Sequence, residues 1–256
     1  MGLEIRLVPM FSDNYGFLIH DRESGCTATV DPGEPEPIAN ALAEAGWGLN
    51  FILNTHHHPD HIGGNLALKQ RFGATIIGPA ADVDRIPGLD RGVSDGDSVA
   101  IGAHRAQVLE VHGHTRAHIA YWFGDDQAVF CGDTLFALGC GRLFEGTAAE
   151  MWHSLSRLRA LPRETRVYCA HEYTESNCRF AVTVETGNAA LRARAKEIAA
   201  LRAQDLPTVP STIGIECETN PFLRADNPEL QAEAGLAGMA PADAFGEIRR
   251  RKDNFQ

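Results

Sequence analysis

The segment FILNTHHHPDHIGGN, Phe51 to Asn65, limits this chain more than any other stretch. An apolar run enters it and a Gly-Gly pair leaves it. It therefore reads as a strand, a turn and the start of a helix. Between them the order H-x-H-x-D-H crowds titratable groups into one turn. Alternate residues of an extended segment point the same way, so His56 and His58 can reach one ion. Asp60 and His61, beyond Pro59, can turn toward a second. The competing reading is a solvated polar turn, which requires nothing from the rest of the chain. The metal reading requires more ligands.

Candidates for those ligands follow. His114 in VHGHT, Asp133 in FCGDT and His171 in YCAHEY each stand after a strand-like run. Functional side chains of sheet proteins gather at such strand ends. Five histidines and two aspartates are too many for one tetrahedral zinc. They divide into His56, His58 and His114 for one ion and Asp60, His61 and His171 for a second. Asp133 would bridge, giving one oxygen to each. Two divalent ions per chain are expected, zinc first, with iron and manganese suited to the same ligands. Two ions about 3.5–4 Å apart can share a hydroxide and clamp an attacked group. Asp60 and Asp133 are accordingly the candidate catalytic carboxylates. His57 should face away from the ligands, and His112 is read likewise. His20, His104, His118 and His153 carry no motif.

The first two-thirds of the chain alternate strand and helix signals. Strands are expected at 3–8, 15–20, 28–31, 51–54, 74–78, 99–101, 105–111, 119–123, 128–131 and 166–170. Helices are expected at 37–45 and 64–72, and a third opens at the capping box of Thr147 and Glu150 and runs to about Leu161. After residue 174 strand signals stop. Leu191, Ala195 and Ile198 share a helical face, Asn227-Pro228 caps another helix, and 242–252 reads as the last. The 256 residues thus divide into an αβ body, 1–173, and a smaller helical domain, 174–256.

A net charge of -11 argues against a nucleic-acid partner, because a phosphate backbone needs a basic footprint. No apolar run is long enough to span a membrane, and no signal peptide is read at the N-terminus. A cytoplasmic monomer with no membrane partner is expected. The six cysteines form no CxxC pair, which fits a reducing compartment. Cys131 and Cys169 read as core residues and Cys140 as structural. One run opposes the acidic average: Arg249, Arg250, Arg251 and Lys252. It reads either as a site for a small anion or as a solvated helix end that suits the macrodipole.

The ligand motifs resemble the metallo-β-lactamase superfamily. SDNYGFLI at 12–19, GCGRLFEGTAAEM at 139–151, AHEYTESNCRFA at 170–181, TNPFLR at 219–224 and RRRKDNF at 249–255 resemble, more narrowly, the hydroxyacylglutathione hydrolase (glyoxalase II) family. The resemblance spans essentially the whole chain. It implies an α/β (α+β) fold, a four-layer αββα sandwich followed by a small all-helical C-terminal domain. It implies cleavage of S-D-lactoylglutathione to glutathione and D-lactate by a metal-bridging hydroxide, the second step of methylglyoxal detoxification. It places Arg249, Lys252 and Tyr173 on the glutathione, next to His171. Arg142 stands where many members have lysine, which keeps the charge. Phe144 stands where many have tyrosine and loses a hydrogen bond, a modest loss of about 1 kcal/mol. The rivals are another hydrolase on this fold (a lactonase, different thioesterase, β-lactamase, sulfur dioxygenase or nuclease) and a metal-dependent binding protein without turnover. The mark of the binding protein would be a missing ligand, and none is missing.

Overall fold

The structure, a computed structural model, describes residues 2–255. The chain forms two compact units. One holds residues up to 110 together with 117–132. The other holds 111–116 together with everything from 133 onward.

The first unit begins with β1 (Glu4–Met10), β2 (Asn14–His20) and β3 (Thr27–Val30), which pair antiparallel. Helix α1 (Pro35–Ala45) carries the chain to β4 (Phe51–Leu53). A single turn, α2 (Pro59–Ile62), and helix α3 (Asn65–Phe72) lead to β5 (Thr75–Pro79), and β6 (Arg91–Val93) follows. From β3 to β6 the pairing is parallel, as crossovers through helices allow. Helix α1 opens on Pro35 and stops at Gly46, whose φ of 70° is left-handed. Its Ile38 and Leu42 and the Leu68 of α3 are fully buried against Leu18, Ile52 and Ile76. Each such side chain contributes roughly 1.5–3 kcal/mol relative to exposure.

A second sheet in this unit is an antiparallel meander of β7 (Ser98–Ile101), β8 (His104–Glu110), β9 (Ile119–Phe123) and β10 (Ala128–Gly132). The sheets meet face to face. Phe17 lies 5.5 Å from Phe130 between ring centroids. The buried Tyr121 hydroxyl donates to the Asn54 carbonyl at 3.0 Å and lies 3.3 Å from that of Ile77. That bond ties the meander to the end of β4, where the histidine turn begins.

The second unit contains the short hairpin of β11 (Leu135–Phe136) and β12 (Gly139–Cys140), helix α4 (Ala148–Arg159) and strand β13 (Arg166–Cys169). Helices α5 (Thr174–Val184) and α6 (Ala189–Arg202) come next. Strand β14 (Ser211–Thr212), α7 (Ile213–Thr219), α8 (Pro228–Glu233) and α9 (Pro241–Asp253) complete it. Both halves of the capping box on α4 form: Glu150 N donates to Thr147 Oγ1 at 3.2 Å, and Thr147 N to Glu150 Oε2 at 2.7 Å. Phe180 stacks on Phe222 at 6.0 Å, and Phe222 meets Phe245 edge to face at 6.1 Å, which joins α5 to α9. No helix among the described residues is long and apolar enough to cross a membrane.

The expectation that strands end before residue 174 is corrected by β14. Ser211 and Thr212 pair with Val167 and Arg166 of β13. Two residues are too few to show a period, so only the pairing reveals the strand. Helix α5 buries Cys178, Phe180, Ala181 and Val184 together with the polar Thr174 and Asn177.

Candidate active site

The histidine turn rests on the Asp31-Pro32-Gly33 turn. Gly64 N donates to the Pro32 carbonyl at 2.8 Å. A side chain at Gly33 would run into the Asp60 carbonyl, and one at Gly63 into that of Gly33. The two turns touch backbone to backbone because both positions are glycine.

Asp31 organises the ligands from below. Its Oδ1 accepts from Thr55 N at 2.8 Å, and its Oδ2 accepts from Thr55 Oγ1 at 2.6 Å and lies 3.1 Å from His61 Nδ1. His56 Nδ1 in turn lies 3.1 Å from Thr55 Oγ1. With Nδ1 engaged in this way, each ring has Nε2 left to offer a metal ion. His56 and His61 are buried, with ring centroids 4.0 Å apart, and His58 stands 4.6 Å from His56. Asp60 Oδ2 accepts from Asn14 Nδ2 at 2.9 Å and faces His61 Nε2 at 3.4 Å. His57 turns instead to the buried Asp82, with Nδ1 2.9 Å from Oδ2, and also contacts Arg85.

The first unit therefore brings His56, His58, Asp60 and His61 together. It also adds residues that sequence reasoning gave no role. Asp31 reads in the sequence only as the last residue of the strand at 28–31, and Asn14 sits unexplained in the SDNYG motif. His118, fully buried, stacks on His56 at 4.6 Å and 18°. Outer partners of metal ligands typically account for 10–100-fold in affinity. Asp31→Ala is accordingly expected to weaken metal binding by about that factor, measured by competition with a chromogenic chelator.

The second unit gathers His114, Asp133 and His171, all buried. Asp133 Oδ2 lies 3.4 Å from His114 Nε2, and Oδ1 lies 3.3 Å from His171 Nε2. Each oxygen faces a different imidazole, the arrangement a bridging carboxylate needs. His114 Nδ1 is held by the Arg142 carbonyl at 2.9 Å. Tyr173 stacks on His171 at 4.6 Å and 4°. Buried imidazoles and carboxylates, steadied by outer carboxylate and carbonyl acceptors, suit a divalent cation.

Asp133 and His114 also line a cavity of about 470 Å³, within the usual range of small-molecule sites. Phe136, Phe144, Tyr173 and Phe255 supply aromatic surface, and Arg142, Arg249 and Lys252 supply positive charge. The three cations are not equivalent. Arg142 is exposed. Arg249 is 5% exposed, donates to the Cys140 carbonyl at 2.9 Å, pairs with Asp253 at 2.8 Å and lies over the Phe222 ring. Lys252 donates to the Ser176 carbonyl at 3.0 Å. Its burial, and then the charges of Arg249, Arg179 and Arg142, pull its pKa down to about 8. Burial pushes the Cys140 thiol up to about 11 despite the nearby Arg249. A thiol so protonated at neutral pH is no nucleophile.

The family model described as metallo-beta-lactamase superfamily matches residues 17–171, and the one described as hydroxyacylglutathione hydrolase C-terminus matches 172–255. Among solved structures, ETHE1 from Myxococcus xanthus superposes with a TM-score of 0.71 at 28% identity, over 99% of this chain and 92% of that one. TTHA1623 in a di-iron-bound form superposes with a TM-score of 0.62 at 25% identity, over 84% of this chain and 98% of that one. The fold is thus the metallo-β-lactamase fold, with a helical C-terminal region after it. The hydroxyacylglutathione hydrolase of Methylococcus capsulatus is 56% identical over 254 residues, 99% of each chain. This chain belongs to the hydroxyacylglutathione hydrolase family.

Proposed function

We propose that the protein hydrolyses S-D-lactoylglutathione, and S-2-hydroxyacylglutathiones as a class, to glutathione and the 2-hydroxy acid, the second step of methylglyoxal detoxification. The observation that carries this reading is the cavity of the second unit. It sets three cations and an aromatic wall around Asp133 and His114. Glutathione has two carboxylates, and its thioester must reach the metal ligands. Arg249 and Lys252 take a carboxylate, and Arg142, Phe144 and Tyr173 line the peptide, with His171 behind Tyr173.

Two divalent ions, zinc first, would be held by His56, His58 and His114 and by Asp60, His61 and His171, with Asp133 available to both. When bound, such ions supply Lewis-acid charge for activating water and polarising the carbonyl. The chain's own groups do the rest. Asp60, fixed by Asn14, orients the attacking water. A bound ligand would cover the exposed rings of Phe144, Tyr173 and Phe255 and displace water from the cavity, which strengthens the charges around it. A thiol leaving group with a pKa near 8.5 needs little general-acid help, consistent with a cavity in which Asp133 is the one lining carboxylate among the described residues. The domain boundary falls at residue 173, with every metal ligand before it and Arg249 and Lys252, the carboxylate's partners, after it. The enzyme works as a cytoplasmic monomer on a small molecule, without nucleic acid or membrane. The net charge of -11 supports the exclusion of nucleic acid.

The test is hydrolysis of S-D-lactoylglutathione, followed by loss of thioester absorbance, before and after chelation. A thioester lacking the glutathione carboxylates runs beside it. Chelator-sensitive turnover that prefers the glutathione thioester is expected. Absence of turnover by metal-replete protein overturns the substrate.

A further inference from the structure

Residues 133–142 run as a strap from the proposed metal ligand Asp133 to the exposed cation Arg142. Phe136, Cys140 and Gly141 of this strap also line the cavity. Its only regular structure is the hairpin of β11 and β12, whose strands have two residues each. Isolated hairpins are marginal even when longer. At its tip Leu138 has a φ of 56°, a left-handed conformation that side chains other than glycine disfavour. The strap therefore does not hold its own shape.

Helices of the same unit hold it, one peptide group at a time. Leu138 N donates to Glu216 Oε2 at 2.9 Å. Asn220 Nδ2 donates to the carbonyls of Phe136 at 3.1 Å and Gly139 at 3.0 Å. Asn177 Nδ2 donates to Ala137 O at 3.1 Å. The far end is closed by Arg249 on Cys140 O and by His114 on Arg142 O. Glu216 is completely buried. Its Oε1 takes Arg194 and Ser211, and its Oε2 also lies 3.0 Å from Asn220 Nδ2. A buried ion pair is weak support for stability, since well-packed apolar side chains often serve as well. This one is spent on backbone groups of the strap.

We infer that Glu216 and Asn220 are positioning residues for substrate recognition: by gripping Phe136, Leu138 and Gly139 they set where Arg142 and the Arg249-bound carbonyl of Cys140 stand around the glutathione moiety. This deepens the proposed function and rests on it for the identity of the ligand. Neither side chain is among those lining the cavity. Their effect is on binding geometry, and the proposed catalytic carboxylates are left in place.

The experiment compares wild type with Asn220→Ala and, because Asn220→Ala could fold poorly, with Glu216→Gln. Gln keeps the size of Glu216 but turns a donor toward Arg194 or Leu138 N. KM for S-D-lactoylglutathione should rise by about 10- to 100-fold, the scale of a lost charge-assisted hydrogen bond to the ligand, and by more than kcat falls. The thioester without glutathione carboxylates should lose little. Kd for S-methylglutathione, a thioether that cannot be hydrolysed, should rise in parallel by calorimetry. Amide exchange should accelerate over 134–142, with α8, which neither side chain touches, unchanged. Unchanged KM and Kd in a folded variant overturn the inference, and so does exchange that accelerates equally throughout the unit. If wild type binds the thioether but does not cleave the thioester, the hydrolase reading fails while the positioning role is still decided by Kd and exchange.

Discussion

Asp133→Asn will lower hydrolysis of S-D-lactoylglutathione by on the order of 10³-fold, about 4 kcal/mol of transition-state stabilisation. It will also lower bound metal and leave Kd for S-methylglutathione nearly unchanged. The geometry of the carboxylate is the reason. Its two oxygens face different imidazoles, at 3.4 Å from His114 and 3.3 Å from His171. Asparagine keeps the shape but removes the charge and replaces one acceptor oxygen with a donor. It can no longer serve two cations. The proposed recognition cations Arg142, Arg249 and Lys252 are untouched, so ligand affinity should survive. Elemental analysis of the purified variant, with steady-state rates, decides the matter. Near-normal turnover with full metal would remove Asp133 from the bridging position.

Much of this site was legible in the sequence because its signals are local. H-x-H-x-D-H lies on one turn, and HGHT, GDT and AHE each sit directly after a strand. The supports of the site were not legible, because their partners are distant. Asp31 meets His61 across 30 positions and Thr55 across 24. Nothing in Asp31-Pro32-Gly33 distinguishes a buried acceptor from an ordinary turn residue. Glu216 reaches Leu138 across 78 positions, and its surroundings, IECE, carry no motif. The fold followed the same division. Long periodic elements such as β8 and α6 were readable, whereas β14 and the β11–β12 hairpin exist only through pairing. The basic run at the C-terminus was visible as charge, yet composition could not separate its members. Arg249 is buried and held by a carbonyl and a carboxylate, while Lys252 remains half-buried over Phe180 and Phe255.

That difference has a consequence in pH. Lys252 loses its proton near pH 8, well below the ordinary lysine value, chiefly because burial disfavours its charge and then because Arg249, Arg179 and Arg142 repel it. An anionic ligand binds the protonated form. KM for the glutathione thioester should therefore be flat below about pH 8 and rise above it, approaching tenfold per pH unit if the neutral amine contributes nothing. The sign also runs in reverse. A bound carboxylate favours the ammonium, so binding at pH 8 to 9 should take up protons. Calorimetry with S-methylglutathione in two buffers of different ionisation enthalpy measures that uptake directly and avoids the alkaline lability of thioesters. Lys252→Ala should weaken binding by about 10- to 100-fold at pH 7, the scale of a charge-assisted hydrogen bond, and abolish both the uptake and the rise. Lys252→Arg, which stays protonated throughout, should move the rise out of the measurable range. Proton uptake that persists in Lys252→Ala would assign the titration to another group and remove Lys252 as the carboxylate's partner.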